Sequence, residues 1–319
     1  MSANFTSCGL AIGHVSDVSG ATGVTVVRGI GAPFRCAVHV LGRATGTREL
    51  MLLEPGHLVD RVDAILLGGG SAYGLDAAAG VMRWMEERGR GFQVGGGVVP
   101  IVPAAVIFDL APLGRFSARP TAQMAYEACE GATSNDVLEG SIGAGTGATV
   151  GKLAGPHASM KGGIGCGTAA SGALEIRTLA VVNALGDIRD ANGTIIAGAR
   201  TLDGAWLDGA ASLAQRTDTL SDRFDSLAGQ NTTLCVVSTN AALDRVQLGA
   251  VARAASAALY RRITPVGTSF DGDVVFATSP ISSGITASPA QVEALAVVAL
   301  EMAIERAVRT SRPGDIFHG

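Results

Sequence analysis

The chain has 319 residues, 44 of them glycine, with 47% hydrophobic and 16% charged residues and a formal net charge of −4. That length sustains a sizeable core in one large domain or two modest ones, and a charged fraction below the usual ~25% with so much apolar residue excludes a disordered chain. A slightly acidic balance without a basic block argues against a nucleic-acid partner, and the low charge density implies surface buried between subunits.

Met1 to Thr6 carries neither a basic stretch nor an apolar core, so no secretory signal is expected. The uncharged run Gly91 to Phe108 reaches membrane-span length. Gly95-Gly96-Gly97, Pro100 and Pro103 would leave its backbone groups unsatisfied in lipid, and it is read as buried strand and turn. Cys8, Cys36, Cys129, Cys166 and Cys235 are scattered without a Cys-x-x-Cys pair, which implies no disulfide framework or zinc site and fits a reducing cytoplasm.

In chain order, Thr22–Val27, Cys36–Val40 and Val62–Leu67 read as strands, the last running into Gly68-Gly69-Gly70. A helix follows with Leu75, Ala79, Met82 and Met85 on one face and Gly89 as its stop. A short helix is expected near Gln123–Glu130. Strands return at Ile176–Asn183 and, after the Asn192-Gly193 turn, at Thr194–Ala199. Asp203–Gln230 is polar and weakly periodic, a surface connector. Thr233–Thr239 is the next strand. A helix from about Ala241 to Arg262 places Leu243, Val246, Ala250, Ala254 and Ala257 on one stripe, with Pro265 beyond it. Asp273–Thr278 is a strand. The final helix has Ser288 as N-cap, Pro289 at its first position and Gln291 closing a capping box, with Val292, Leu295, Ala299 and Met302 as the buried stripe. Helices that do not alternate strictly with strands favour α+β layers over a doubly wound sheet.

Lysine usage is the first chemical clue. Of 24 basic residues only two are lysines, Lys152 and Lys161. Both lie in Gly140 to Leu174, a stretch with 11 glycines and no Asp, Glu or Arg. A lysine kept in an arginine-using chain suggests a need for a compact ammonium or a shiftable pKa. Lys152, after Gly151 and inside an apolar run, is assigned a functional role; Lys161 is assigned solvent exposure. Gly143-x-Gly145-x-x-Ala148 fits only a loose dinucleotide fingerprint, with no clear strand before it and no acidic residue until Glu175. The Walker pattern fails at Thr146 and Leu153. His14, His39, His57, His157 and His318 lack ligand spacing, so no metal is expected, and Gly69-Gly70-Ser71-Ala72-Tyr73-Gly74 is off by one from a nucleophile elbow.

At Gln230-Asn231-Thr232-Thr233 a polar connector meets a core strand. Were the Asn231–Thr232 bond broken, Thr232 would own both a hydroxyl and an α-amine of pKa about 7.7–8.0, nucleophile and base in one residue. Taken alone, a threonine at a strand start is ordinary, and Asp271-Gly272-Asp273 is by itself a turn.

Together with Ile12-Gly13-His14, Thr22-Gly23-Val24-Thr25-Val26, Leu67 to Asp76, Val99 to Asp109, Gly151-Lys152 and Val182-Asn183, these segments make the chain resemble, over nearly its full length, the L-aminopeptidase/D-esterase family of self-processing hydrolases. That family includes the β-aminopeptidases and the 6-aminohexanoate-oligomer (nylon oligomer) endohydrolases. The resemblance implies a four-layer αββα sandwich, a single domain over 1–319, cut by itself into 1–231 and 232–319. It implies Thr232 as nucleophile and new N-terminus, Lys152 as the basic residue beside it, Asn183 as oxyanion donor, and Asp271 and Asp273 as the carboxylates holding the ammonium groups. The carbonyl-binding region is expected at Tyr73, Phe108 and Gly151. Family members often carry a Tyr donor where this chain has Phe108, which leaves the second oxyanion donor open to a backbone N–H or water. The resemblance also implies no cofactor or metal, a small amide or peptide substrate, no membrane, and a homo-oligomer, a tetramer of processed heterodimers. Thr as nucleophile is similar to the nylon-oligomer branch. The alternatives are an aminopeptidase/D-esterase, a related acyltransferase, and a non-catalytic protein holding a phosphate ligand in the glycine-rich loop.

Overall fold

The computed structural model describes residues 3–155, 158–201, 203–215 and 230–311. Ten strands form two five-stranded sheets: β1 (Leu10–Asp17), β2 (Thr22–Gly29), β3 (Phe34–Val40), β4 (Gly46–Arg48), β5 (Ala64–Gly68), β6 (Ala104–Val106), β7 (Gly163–Ser171), β8 (Leu174–Asn183), β9 (Thr232–Thr239) and β10 (Val274–Pro280). The first sheet has the order β1-β2-β5-β6-β4 and the second β7-β8-β9-β10-β3. Each holds one parallel pair, β5–β6 and β9–β10, among antiparallel neighbours. Parallel strands need a long crossover, and helices supply it: α1 (Ala78–Glu86) lies between β5 and β6. Then come α2 (Ala122–Glu130) and α3 (Gly209–Ala214), while α4 (Arg245–Ala255) and α5 (Ala257–Arg262) lie between β9 and β10, and α6 (Pro289–Arg309) closes the described chain.

The sheets bury apolar residues on both faces. On β5, Ala64 and Leu66 turn toward Val81, Trp84 and Met85 of α1 and Ala125 and Ala128 of α2. Ile65 and Leu67 turn the other way, into a core shared with Leu179, Val181, Leu234, Val236 and Phe276 of the second sheet. The far face of that sheet, including Ile176, Ala180 and Val237, packs on Leu248 and Val251 of α4 and Ala296, Ala299 and Ala303 of α6. A strand apolar on both faces reads as one continuous run, which is how Val62–Leu67 and Thr233–Thr239 appear in the sequence.

Helix α6 lies against β7 at backbone distance. Gly163, Gly165 and Gly167 share one strand face, and a Cβ at Gly165 would stand 2.1 Å from the Ala303 carbonyl oxygen and 2.3 Å from the Ala307 nitrogen. At Gly167 it would stand 1.9 Å from Ala299 O. Strand period 2 on the glycines and helix period 4 on the alanines therefore produce one close-packed seam. Part of the glycine enrichment around Lys161 belongs to this seam.

Several expected elements shift. The strands Cys36–Val40, Ile176–Asn183 and Asp273–Thr278 are found within a residue or two of the expected bounds; β1 was not anticipated. Gly91 to Phe108 is only partly buried: Phe92–Val94 and Gly97–Val99 form an exposed hairpin, with Val94 47% exposed, and the core begins beyond it, from Pro100 through β6 to Ile107. Ahead of α1, Ser71–Ala77 is 3-10 helix. Three residues per turn rotate the stripe, so Ala78, Val81 and Met85 are buried and Ala79 is exposed. Helix 241–262 is two helices. The first is started by a capping box in which Asp244 accepts from Gln247 N and Gln247 reaches back to Asp244 N. Its buried stripe is Leu248, Val251, Ala252 and Ala255, whereas Val246 is 65% exposed. On α6, Ser288 caps through Gln291 N, the buried stripe is Val292, Ala296, Ala299 and Leu300, and Met302 is exposed. Both helices carry small apolar residues all round, so hydrophobicity alone does not set their phase. Half of the polar connector Asp203–Gln230, namely 216–229, lies outside the described residues; α3 occupies part of the remainder. Among the described residues no helix is long and apolar enough to cross a membrane.

The seam yields a paired prediction. Gly165→Ala should destabilise the protein by about 3 kcal/mol through overpacking against α6. Gly249→Ala, at a helical site with nothing within 4 Å of the added Cβ, should stabilise it by about 0.5–1 kcal/mol. Urea denaturation midpoints of the two variants check this, and equal midpoints would contradict the seam.

Candidate active site

The second sheet ends where the two halves of the chain meet. Antiparallel pairing of β8 and β9 sets Asn183 opposite Thr232, and beyond β9 the chain continues in parallel register, Asn231 bridging to Asp271. Sheet register alone thus brings Asn183, Thr232 and Asp271 side by side. The first sheet contributes Phe108, just past β6.

Lys152 arrives on a tight turn. Gly151 has φ +71°, and a Cβ there would lie 2.2 Å from Ala199 N, so only glycine fits. The Gly151 and Lys152 N–H groups donate to Gly186 O and Leu185 O, which fixes the turn against the end of β8. The Lys152 ammonium is buried and donates to Asn183 Oδ1 at 2.8 Å, Gln230 O at 2.9 Å and Asn183 O at 3.1 Å. Burial pulls its pKa down to about 7, against the opposing pull of Asp271 and Asp109.

Asn183 has its amide orientation set by its neighbours. Oδ1 accepts from Lys152 and from Thr149 N at 3.0 Å, so Nδ2 points the other way and donates to Phe108 O and Gln230 O, both at 3.1 Å. Thr232 is buried, and its Oγ1 donates to Asn231 O at 2.6 Å. The same carbonyl oxygen accepts from Gly272 N at 2.7 Å. The carboxylates flank that glycine. Asp273 Oδ1 accepts from Thr233 N at 2.6 Å, and Asp271 Oδ2 accepts from Thr268 N and Oγ1, both at 2.8 Å. Burial raises both pKa values, that of Asp273 to about 7 with the neighbouring Asp271 charge adding to it. Backbone N–H groups of Leu41 and Gly42 hold Asp273 O, and those of Arg43 and Ala44 hold Asp271 O, so the Asp-Gly-Asp segment is anchored from behind.

Lys152, Asn183, Asn231, Thr232, Asp271 and Asp273 are therefore brought together, with Gly151 forming the lysine turn. Phe108 contributes its carbonyl rather than its ring. Tyr73 is 53% exposed in the 3-10 turn, its ring under the Arg119 guanidinium at 3.5 Å. That turn neighbours the Phe108 segment through Ser71 N to Ile107 O. Lys161 corrects the expectation of solvent exposure. Its ammonium donates to Gly145 O, Ala148 O and Gly162 O at 2.8, 3.0 and 3.1 Å, and burial lowers its pKa to about 7. It cross-links the glycine-rich loop, whose carbonyls are turned toward a cation. Asp109 was also missed. It is buried, accepts from Gly70 N at 2.6 Å, and burial lifts its pKa to about 6. An isolated aspartate one residue past Phe108 gave no spacing signal; only the fold places its charge near both lysines.

The model of peptidase family S58 matches residues 8–312. An uncharacterized aminopeptidase of Mycobacterium tuberculosis is 42% identical over 278 residues, 85% of this chain and 76% of the relative. A 6-aminohexanoate-oligomer endohydrolase of Agromyces sp. is 32% identical over 296 residues, 88% of this chain and 76% of the relative. Among solved structures, the L-aminopeptidase D-Ala-esterase/amidase of Ochrobactrum anthropi superimposes with TM-score 0.71 at 19% identity, over 98% of this chain and 88% of that one. A Burkholderia sp. β-aminopeptidase gives TM-score 0.65 at 18% identity, over 96% and 87%. The chain belongs to peptidase family S58.

The buried ammonium has a signed consequence for stability. The ordinary lysine pKa is 10.5 and that of folded Lys152 is about 7. Between these values the unfolded chain binds a proton that the folded chain does not. In an uncut Thr232→Ala background, stability should therefore fall as pH falls from 10.5 toward 7, by roughly 1 kcal/mol per pH unit. Adding Lys152→Met should remove that contribution and leave the comparable one from Lys161, whose pKa is also about 7. Urea midpoints at several pH values measure it, and identical slopes for the two chains would contradict a displaced lysine.

Proposed function

We propose that this member of peptidase family S58 is a self-processing amide hydrolase: it cuts its own Asn231–Thr232 bond and then uses Thr232 as an N-terminal nucleophile. On this reading the two sheets and their outer helices are one four-layer αββα sandwich over 1–319. Cleavage turns it into chains 1–231 and 232–319, which stay associated. The observation that carries the reading is the Thr232 hydroxyl at 2.6 Å from the Asn231 carbonyl oxygen, at a buried strand start shared with a lysine of pKa about 7.

The chemistry follows from those groups. Lys152 unprotonated near neutral pH accepts the Thr232 hydroxyl proton, and the oxygen adds to the carbonyl carbon. After the cut, the new α-amine, with a pKa in the range of a general base, joins Lys152 beside Asp271 and Asp273. An external amide is attacked in the same way: an ester forms on Thr232, the amine leaves, and water releases the acid. Asn183 Nδ2, oriented by its bonds at Oδ1, stabilises the charge on the substrate oxygen. Linear amides such as 6-aminohexanoate oligomers are the proposed substrate class, in keeping with the threonine nucleophile. Release of N-terminal amino acids is the second reading, favoured by the more similar aminopeptidase relatives. Acyl transfer to an amine shares the ester and differs only in what resolves it. The enzyme is read as a cytoplasmic homo-oligomer, a tetramer of processed heterodimers.

Denaturing electrophoresis and intact-mass measurement test the reading directly. The parent chain of 32.1 kDa should give pieces of roughly 23 and 9 kDa, the smaller beginning at Thr232, and Thr232→Ala should stay whole. A parent that persists uncut removes the mechanism. The cleavage rate should rise with pH through about 7 as Lys152 loses its proton, and Lys152→Arg, which stays charged, should abolish it across the range. Hydrolysis of aminohexanoate oligomers and aminoacyl nitroanilides, with and without an added amine, separates the substrate classes.

A further inference from the structure

Two carbonyls enter the site from the segment before Thr232, and they are held by different donors. Lys152 Nζ and Asn183 Nδ2 both converge on Gln230 O, at 2.9 and 3.1 Å. The carbonyl of the bond to be cut is the next one along, Asn231 O, and its backbone donor is Gly272 N–H at 2.7 Å. We propose that the backbone N–H of Gly272 is the oxyanion donor of the self-cleavage step, the partner that the charge on Asn231 O meets as Thr232 attacks. The assignment rests on the self-cleavage reading and deepens it.

The peptide unit that carries this N–H is held from its other end. The Asp271 carbonyl accepts from Arg43 N at 2.8 Å and Ala44 N at 3.1 Å. Two donors on the carbonyl of a peptide polarise its N–H and fix the direction of that N–H before any reaction. Preorganised donors of this kind need no rearrangement when charge develops. The residue must also be glycine. A Cβ at 272 would stand 2.7 Å from Thr232 Oγ1 and 2.7 Å from Ala44 O, filling the space the nucleophile occupies. Asp271 and Asp273 consequently do not make the segment a mere turn: they flank a bare N–H aimed at the scissile carbonyl.

The step balances as follows. Thr232 Oγ1 bonds to the Asn231 carbonyl carbon, its proton goes to neutral Lys152 Nζ, and the carbonyl electron pair moves onto the oxygen that Gly272 N–H holds. Collapse breaks the Asn231–Thr232 C–N bond and returns the proton to the Thr232 nitrogen, leaving an ester between Asn231 and Thr232 Oγ1. Water hydrolyses that ester to the Asn231 carboxylate and the free hydroxyl.

Replacing residue 272 by glycolic acid in the full chain exchanges the N–H for an ester oxygen and leaves the shape unchanged. The rate at which the two fragments appear should drop by about 10²–10³-fold, with thermal melting confirming the fold. An ester chain that cuts at the parent rate overturns the assignment while the parent's own cutting preserves the wider reading; a parent that never cuts sinks that reading instead. A second measurement does not depend on the ester chain folding. In the uncut Thr232→Ala chain, isotope-labelled NMR should show scalar coupling across the hydrogen bond from Gly272 N to the Asn231 carbonyl carbon, and its absence likewise overturns the proposal.

Discussion

The site is organised around one buried cation. An ammonium taken out of water is tolerated only where hydrogen bonds replace its hydration, and Lys152 finds three oxygens, two from Asn183 and one from Gln230. Those bonds do more than satisfy the lysine. They set which way the Asn183 amide faces, they hold the chain just before Thr232, and the burial that makes them necessary brings the amine near neutrality. Removing the lysine side chain would release all three constraints together. The nearby carboxylates experience the opposite displacement for the same reason: low polarity disfavours their charged forms as well. Acid and base are thereby drawn toward the same pH range, the condition for proton exchange between them.

Around that centre, glycine does two separate jobs. On β7 it removes side chains so that a helix can lie on a strand. At Gly151 and Gly272 it removes them so that backbone can approach backbone or nucleophile. Composition merges the two, since both raise the same count. The distinction matters for function: the first set concerns stability, whereas the second shapes the site, Gly151 through the lysine turn and Gly272 beside the Thr232 hydroxyl. Lys161, by contrast, is a lysine used as a staple, its ammonium spent on three loop carbonyls.

Much of the architecture was legible before any coordinates. Apolar β-branched runs marked β5, β8, β9 and β10 because a strand buried on both faces leaves no polar alternation to misread. Ser288 before Pro289 marked the start of α6 because a cap is a local device, completed within four residues. Helix phase was not legible. Alanine and valine sit on the exposed and buried faces of α4 alike, so the stripe through Val246 and Ala250 looked as good as the true one through Leu248 and Val251. Nor was the exposed hairpin after Gly91, where absence of charge was taken for burial.

The sequence by itself determined the chemistry available: a lysine following Gly151 in an apolar run, a threonine where a polar connector meets a core strand, and an Asp-Gly-Asp segment, each a property of residue type and short spacing. Only the tertiary structure decided which of these groups meet. Asn183 faces Thr232, and Asn231 faces Asp271, through strand register, and register is fixed by which faces are buried across two sheets far apart in the chain. The direction of the Gly272 N–H was equally invisible, because a backbone donor has no side chain to announce it and acquires its aim from the peptide planes around it.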